Sequence, residues 1–153
     1  MTETIRATVN GTRFEGEVPA ELLLLDLLRD RLGLTGAKQS CEVQVCGVCT
    51  VLVDGNPVSS CCFLAADIDG REVETIEGLV GSDFHRRAAD VFMRHAAVQC
   101  GFCTSGMLLT AKALAGRGLA PDEIAAAMSG NLCRCTGYRS ILDSLTEILG
   151  ETA

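Results

Sequence analysis

The sequence predicts an α+β fold, a small mixed sheet in the first half followed by four short helices in the second. Ile5, Ala7 and Val9 alternate with Thr4, Arg6 and Thr8 at the period of a strand. Phe84, Ala88, Val91 and Phe92 recur at the period of a helix. A third observation gives each half a centre. Eight of the nine cysteines form two four-membered sets: Cys41, Cys46, Cys49 and Cys61, then Cys100, Cys103, Cys133 and Cys135.

The elements follow in order. Asn10-Gly11 predicts a hairpin after the first strand, because both residues tolerate positive φ. Phe14, Gly16 and Val18 alternate with Arg13, Glu15 and Glu17 as the return strand. Pro19 is expected to open a helix running to about Arg31, with Leu22, Leu25, Leu28 and Leu32 on one face. Residues 33–50 are punctuated by glycine and hold three cysteines, the pattern of a loop wrapped around a ligand. Thr50 to Val53, a turn at Asp54-Gly55, and Pro57 to Cys61 predict a second hairpin. Glu72 to Ile76 predicts a last strand. Two hairpins, one helix and a final strand fit a β-grasp arrangement.

The second half has helical spacing throughout. Segments are expected around Phe84 to His95, Met107 to Leu114, Pro121 to Met128 and Ile141 to Leu149, which suggests a four-helix bundle. Pro121 suits a first helical turn, and Gly130-Asn131 a stop. The seam falls near Glu77 to Ser82, dividing the chain into units 1–78 and 82–153.

With 153 residues the chain has room for one domain or two small ones. Its formal charge is −7, from 20 acidic and 13 basic residues, with no Lys/Arg run, so nucleic acid is not an expected partner. The apolar run Leu22 to Leu28 is too short to span a bilayer and is broken by Asp26, so no membrane association is expected. The first residues show no charged segment followed by an apolar one, so a cytoplasmic location is expected. Thiols stay reduced there, and dense cysteines read as metal ligands before disulfides.

The first set reads C-x4-C-x2-C-x11-C, the spacing of plant-type [2Fe–2S] ferredoxins. Three thiolates come from one tight loop, whose backbone N–H groups can point at the sulfurs and tune the potential. Gly47 leaves room for close backbone approach. A four-thiolate zinc site is the rival, but zinc sites usually pair two short C-x2–4-C knuckles. His85 and His95, the only histidines, are expected to be ordinary helix residues. The second set, C-x2-C and C-x-C separated by 29 residues, alone could hold zinc or iron. Its cysteines are expected where helices end and begin, and helix N-termini favour an anionic group. Cys62 is expected to be a small buried residue.

Three stretches resemble a known family: Cys41–Cys49, Gln99-Cys100-Gly101-Phe102-Cys103, and Gly130-Asn131-Leu132-Cys133-Arg134-Cys135-Thr136-Gly137-Tyr138. They look like the small iron–sulfur subunit of the molybdenum hydroxylases, such as the xanthine, carbon monoxide, nicotine and quinoline dehydrogenases. Thr75-Ile76-Glu77-Gly78-Leu79 at the seam belongs to the match.

The resemblance implies a plant-type ferredoxin-like β-grasp domain followed by a four-helix domain, each holding one [2Fe–2S] cluster. A large partner subunit would carry a molybdopterin-type molybdenum cofactor and the substrate site. In many members a medium subunit carries FAD. The chain would then relay electrons from molybdenum through the second cluster and the first to FAD, with no catalytic residue of its own. Gln99 matches the glutamine that hydrogen-bonds the pterin. A free ferredoxin-like carrier is the alternative. The chain departs from the family pattern at Ser40 and Gln44, where glycine is usual. It departs too at Val48, and at Ser105 and Arg86, where proline is frequent. None removes a ligand.

Overall fold

The computed structural model describes residues 1–150. The last three residues of the expected helical unit, 151–153, lie outside them. Strands β1 (Thr2–Val9) and β2 (Thr12–Pro19) form the first hairpin, β3 (Thr50–Val53) and β4 (Asn56–Ser59) the second. Strand β5 (Glu72–Glu74) lies between them, parallel to β1 and antiparallel to β3. The order β2-β1-β5-β3-β4 is the expected mixed β-grasp sheet. Asn10 and Asp54 take φ of 50° and 49° ahead of Gly11 and Gly55, as two-residue hairpin turns require.

Pro19 does not open a helix. It is the last residue of β2, paired with Thr2. Residues 22–24 then run beside 63–65, through Leu24 N–H to Phe63 C=O at 2.7 Å and Ala65 N–H to Leu22 C=O at 2.8 Å. This pairing keeps the chain extended, so helix α1 starts only at Leu24 (Leu24–Asp26) and continues as π-helical turns over Leu27–Arg31. Leu24, Leu25, Leu27 and Leu28 are fully buried under the sheet with Ile5, Val18, Val51, Ile68 and Val73.

At the seam, β5 ends two residues before the expected Ile76. Thr75 turns out of the sheet, its N–H bonded to Asn10 Oδ1 at 2.8 Å, and α2 (Ile76–Leu79) follows. The four expected helices are α3 (Asp83–Arg94), α4 (Thr104–Leu114), α5 (Pro121–Ala127) and α6 (Arg139–Gly150). Their core joins Ala88, Val91, Phe92, Met107, Ala111, Ile124, Met128, Ile141, Leu145 and Ile148. Two residues of the first cysteine loop, Cys46 and Val48, are buried in this helical core. A smaller cluster of Leu52, Leu79 and Leu109 closes the seam from β3, α2 and α4. Among the described residues no helix is long and apolar enough to cross a membrane.

Candidate metal centres

All nine cysteines are free thiols, and eight gather in two places. The first loop (33–49) has almost no regular structure. Its shape comes from residues in the left-handed region, Glu42 at φ 58°, Gln44 at 59° and Gly47 at 68°. The curl turns the N–H groups of Val45 and Cys46 onto Cys41 Sγ, each at 3.4 Å, as the spacing led us to expect. The N–H groups of Val43, Val45 and Cys46, that of Val43 most, lower the Cys41 pKa from 9.0 to about 6. Burial pushes Cys49 the other way, up to about 11. Gln44 stands in a conformation that costs a side-chain-bearing residue roughly 1–2 kcal/mol. Gln44→Gly is therefore expected to stabilise the protein by up to about 1 kcal/mol, part of the relief being lost to the greater freedom of glycine in the unfolded chain. A denaturant titration measures it.

In the second set, Cys103 is the residue before the first turn of α4. Cys100 does not end a helix as expected. Helix α3 stops at Arg94, and Ala96 (φ 50°) and Gly101 (φ 77°) fold the intervening loop. Cys133 and Cys135 lie on the loop before α6. Thr136 Oγ1 donates to Cys133 Sγ at 3.2 Å, and Cys133 N–H donates to Tyr138 Oη at 2.9 Å. Tyr138 holds φ at 72°, unusual for an aromatic residue, to bring its ring back over the loop. Burial opposes ionisation of Cys133, but the Thr136 hydroxyl and backbone N–H groups outweigh it and lower its pKa. The N–H of Phe102 likewise lowers Cys100. Cys103 is pushed up to about 12 by burial.

Within each set the thiols stand in pairs. Cys41 contacts Cys46, and Cys49 contacts Cys61. Cys135 Sγ lies 3.4 Å from Cys100 Sγ, and Cys103 contacts Cys133. The pairs of a set sense each other electrostatically, Cys46 with Cys49 and Cys100 with Cys133. Among the described residues no three His, Cys, Asp or Glu side chains converge tightly enough for a single metal ion. A two-iron group takes four thiolates, two on each iron, and each set supplies two adjacent pairs. The donor sets fit the two-iron group. A two-iron group bound by these thiols would require removal of the protons that burial keeps on Cys49 and Cys103, so its loading is expected to tighten as pH rises.

A cavity of about 590 Å³ is lined by all four thiols of the second set, by Phe102, Leu132 and Tyr138, and by Cys46 of the first set. The loops of the two sets are stitched together here. Leu132 N–H donates to Cys46 C=O at 2.8 Å. Buried Asn131 donates from Nδ2 to Gly47 C=O at 3.2 Å, and Thr50 Oγ1 donates to the same carbonyl at 2.7 Å. The close approach that Gly47 allows is to the second half's backbone, since a Cβ there would lie 2.3 Å from Gly130 O.

Gln99 is exposed beside Cys100. His95 pairs its Nε2 with Glu147 Oε2 at 2.7 Å, an α3–α6 contact. His85 lies in the first turn of α3. Cys62 is exposed, not buried. Residues Ser60–Cys62 form a 3₁₀ turn that sends Ser60 and Cys61 inward and Cys62 out. Thr136, Asn131 and the wrapping role of Tyr138 were not foreseen, although all three lie in the stretch around Cys133 that carried the resemblance.

Comparison with known proteins places both halves. A 2Fe-2S iron-sulfur cluster binding domain matches residues 7–79, and a [2Fe-2S] binding domain matches 75–146. The nicotinate dehydrogenase small FeS subunit of Eubacterium barkeri is 45% identical, over 90% of this chain and 89% of its own. The xanthine dehydrogenase iron-sulfur-binding subunit of Escherichia coli O157:H7 is 39% identical, over 95% and 94%. Among solved structures, a chain of quinoline 2-oxidoreductase from Pseudomonas putida 86 superposes with a TM-score of 0.89 at 46% identity, covering 98% of this chain and 94% of that one. The aldehyde oxidoreductase from Desulfovibrio gigas gives 0.87 at 35% identity; there the match covers 96% of this chain but 17% of that one.

Proposed function

The chain belongs to the family of small iron–sulfur subunits of the molybdenum hydroxylases, and on that premise we propose how its residues serve electron transfer. It is an electron-transfer subunit of an oxidoreductase complex whose active site lies on a partner subunit. Cys41, Cys46, Cys49 and Cys61 hold one [2Fe–2S] cluster within the ferredoxin-like unit, 1–78. Cys100, Cys103, Cys133 and Cys135 hold the other within the helical unit, 82–153. Such clusters supply one-electron storage at potentials set by hydrogen bonds to sulfur and by solvent exposure. The chain's part is to donate those bonds, from Val45 and Cys46 N–H in one loop and from the Thr136 hydroxyl in the other.

The observation that carries this reading is the junction of the two loops. Cys46 of the first set borders the cavity of the second, and its carbonyl is bonded to the residue before Cys133. A free carrier needs one such site; two sites back to back suit a relay between fixed neighbours.

The partner is a large subunit carrying the molybdenum–pterin cofactor and the substrate, and a medium subunit carrying FAD accepts the electrons. Gln99 faces the pterin. Its exposed position beside Cys100 is supporting evidence, as are the exposed apolar side chains of Val98, Phe102 and Leu132 around the second set. The first set, with exposed Val43 and Val45, faces the electron exit. The complex works in the cytoplasm. Substrates of the class are N-heterocycles, aldehydes or carbon monoxide, with oxygen taken from water.

Iron and sulfide analysis of the protein purified with its native partners tests the reading. About four irons and four sulfides per chain are expected, two of each for each cluster. Zinc in place of iron, or isolation from the native source as a monomer without a large subunit, would overturn it.

A further inference from the structure

Glu77, in α2 at the seam, has a role that the cysteine sets do not explain. Its carboxylate is half-buried. One oxygen accepts from Gly36 N–H at 2.7 Å, the other from Thr75 Oγ1 at 2.5 Å. Thr75 is fully buried and accepts in turn from Asn10 Nδ2 at 2.9 Å, at the tip of the first hairpin. On the other side, the Gly36 carbonyl accepts from Ser105 Oγ at 2.8 Å. Ser105 lies two residues beyond Cys103. A continuous polar chain thus runs from the sheet through Glu77 and the Gly36 peptide to the first turn of α4.

The segment that carries Gly36 also meets the first cysteine loop. Lys38 N–H bonds Val48 C=O at 3.0 Å, between Cys46 and Cys49. Arg29 Nη1 holds the carbonyls of Thr35 and Ala37 at 2.9 and 2.7 Å. Residues 35–38 are therefore fixed by α1, by the loop itself, by the seam and by α4. Glu77 is the only acid among these contacts. Its pKa is lowered: burial opposes the shift, but the Thr75 hydroxyl and the Gly36 N–H outweigh it, with Lys38 nearby adding to the effect. There is no slack at the junction, because a Cβ on Gly36 would lie 2.1 Å from Ile76 Cγ2.

We propose that Glu77 is a positioning residue whose carboxylate, acting through Gly36 and the two peptide groups that flank it, latches the first cysteine loop to α4 and so fixes the separation of the two iron–sulfur centres. The inference rests on the two-cluster reading above. It is tested in the assembled complex by electron paramagnetic resonance with both centres reduced. The spin–spin splitting falls with the inverse cube of their distance, so it reports position where activity alone would not.

Glu77→Ala is expected to shrink and broaden the splitting at unchanged iron content. Glu77→Gln, which keeps the shape and the acceptor for Gly36, is expected to restore it. Should Glu77→Ala fail to assemble, Ser105→Ala removes only the last bond and is expected to show the same change in smaller measure. An unchanged splitting in whichever of the two assembles, or a Gln variant no better than Ala, would overturn the latch. Fewer than about four irons per unsubstituted chain would instead overturn the two-cluster reading on which it rests.

Discussion

Gly106→Ala is expected to destabilise the protein by about 2 kcal/mol and to loosen the grip on the first centre. Elsewhere in a helix the substitution would be favourable by up to about 1 kcal/mol, since glycine is a poor helix former. In α4 the added Cβ would lie 2.1 Å from the Gly47 carbonyl oxygen and 3.3 Å from Val48 Cα. Both are backbone atoms, so no side chain can swing aside. Either α4 retreats from the seam or the loop carrying Cys46 and Cys49 moves. Denaturant unfolding reads the stability, and iron retention during a chelator challenge reads the loop. Gly130→Ala is the control: a Cβ there meets nothing within 4 Å, and a change within about 0.5 kcal/mol is expected. Equal losses in the two variants would show that the seam is softer than its geometry.

Cys103→Ser is expected to remove one of the two iron centres and to stop substrate-driven reduction of the terminal acceptor. Losing an outer partner of a ligand commonly costs 10–100-fold in metal affinity or activity, so losing the ligand itself should exceed about 100-fold. Cys103 is buried before the first turn of α4, next to Cys133. A serine hydroxyl there would be a poor, protonated donor. The iron content should halve, and the resonance of the first centre should survive. Metal binding is coupled to folding, so circular dichroism must first show α3 to α6 intact. A variant that still reduced the terminal acceptor from substrate at the normal rate would place the second set off the electron route.

Much of this was legible in the chain. Asn10-Gly11 and Asp54-Gly55 announced both hairpins because a two-residue turn needs positive φ, a local demand written in local residues. The helices after Ser82 were legible from periodicity, and the thiol sets from spacing. What escaped depends on partners distant in sequence. Pro19 looked like a helix start until the 63–65 segment, far along the chain, held residues 22–24 extended. Cys62 looked like core because it follows a buried cysteine, but a 3₁₀ turn reverses its direction. The pairing of thiols and the contact of Gly47 with Gly106 arise only when the two halves close on each other.

That contact has a consequence for inheritance. The two domain matches meet at residues 75–79, and a designer might exchange halves between relatives there. Yet the carbonyls of Cys46 and Gly47 are held by Leu132 and Asn131, and the space beside them is kept open by Gly106. Residues 46–48 must therefore be exchanged together with 106 and 130–132, and chimeras that cut at the linker alone would carry two halves whose mutations have never been screened against one another.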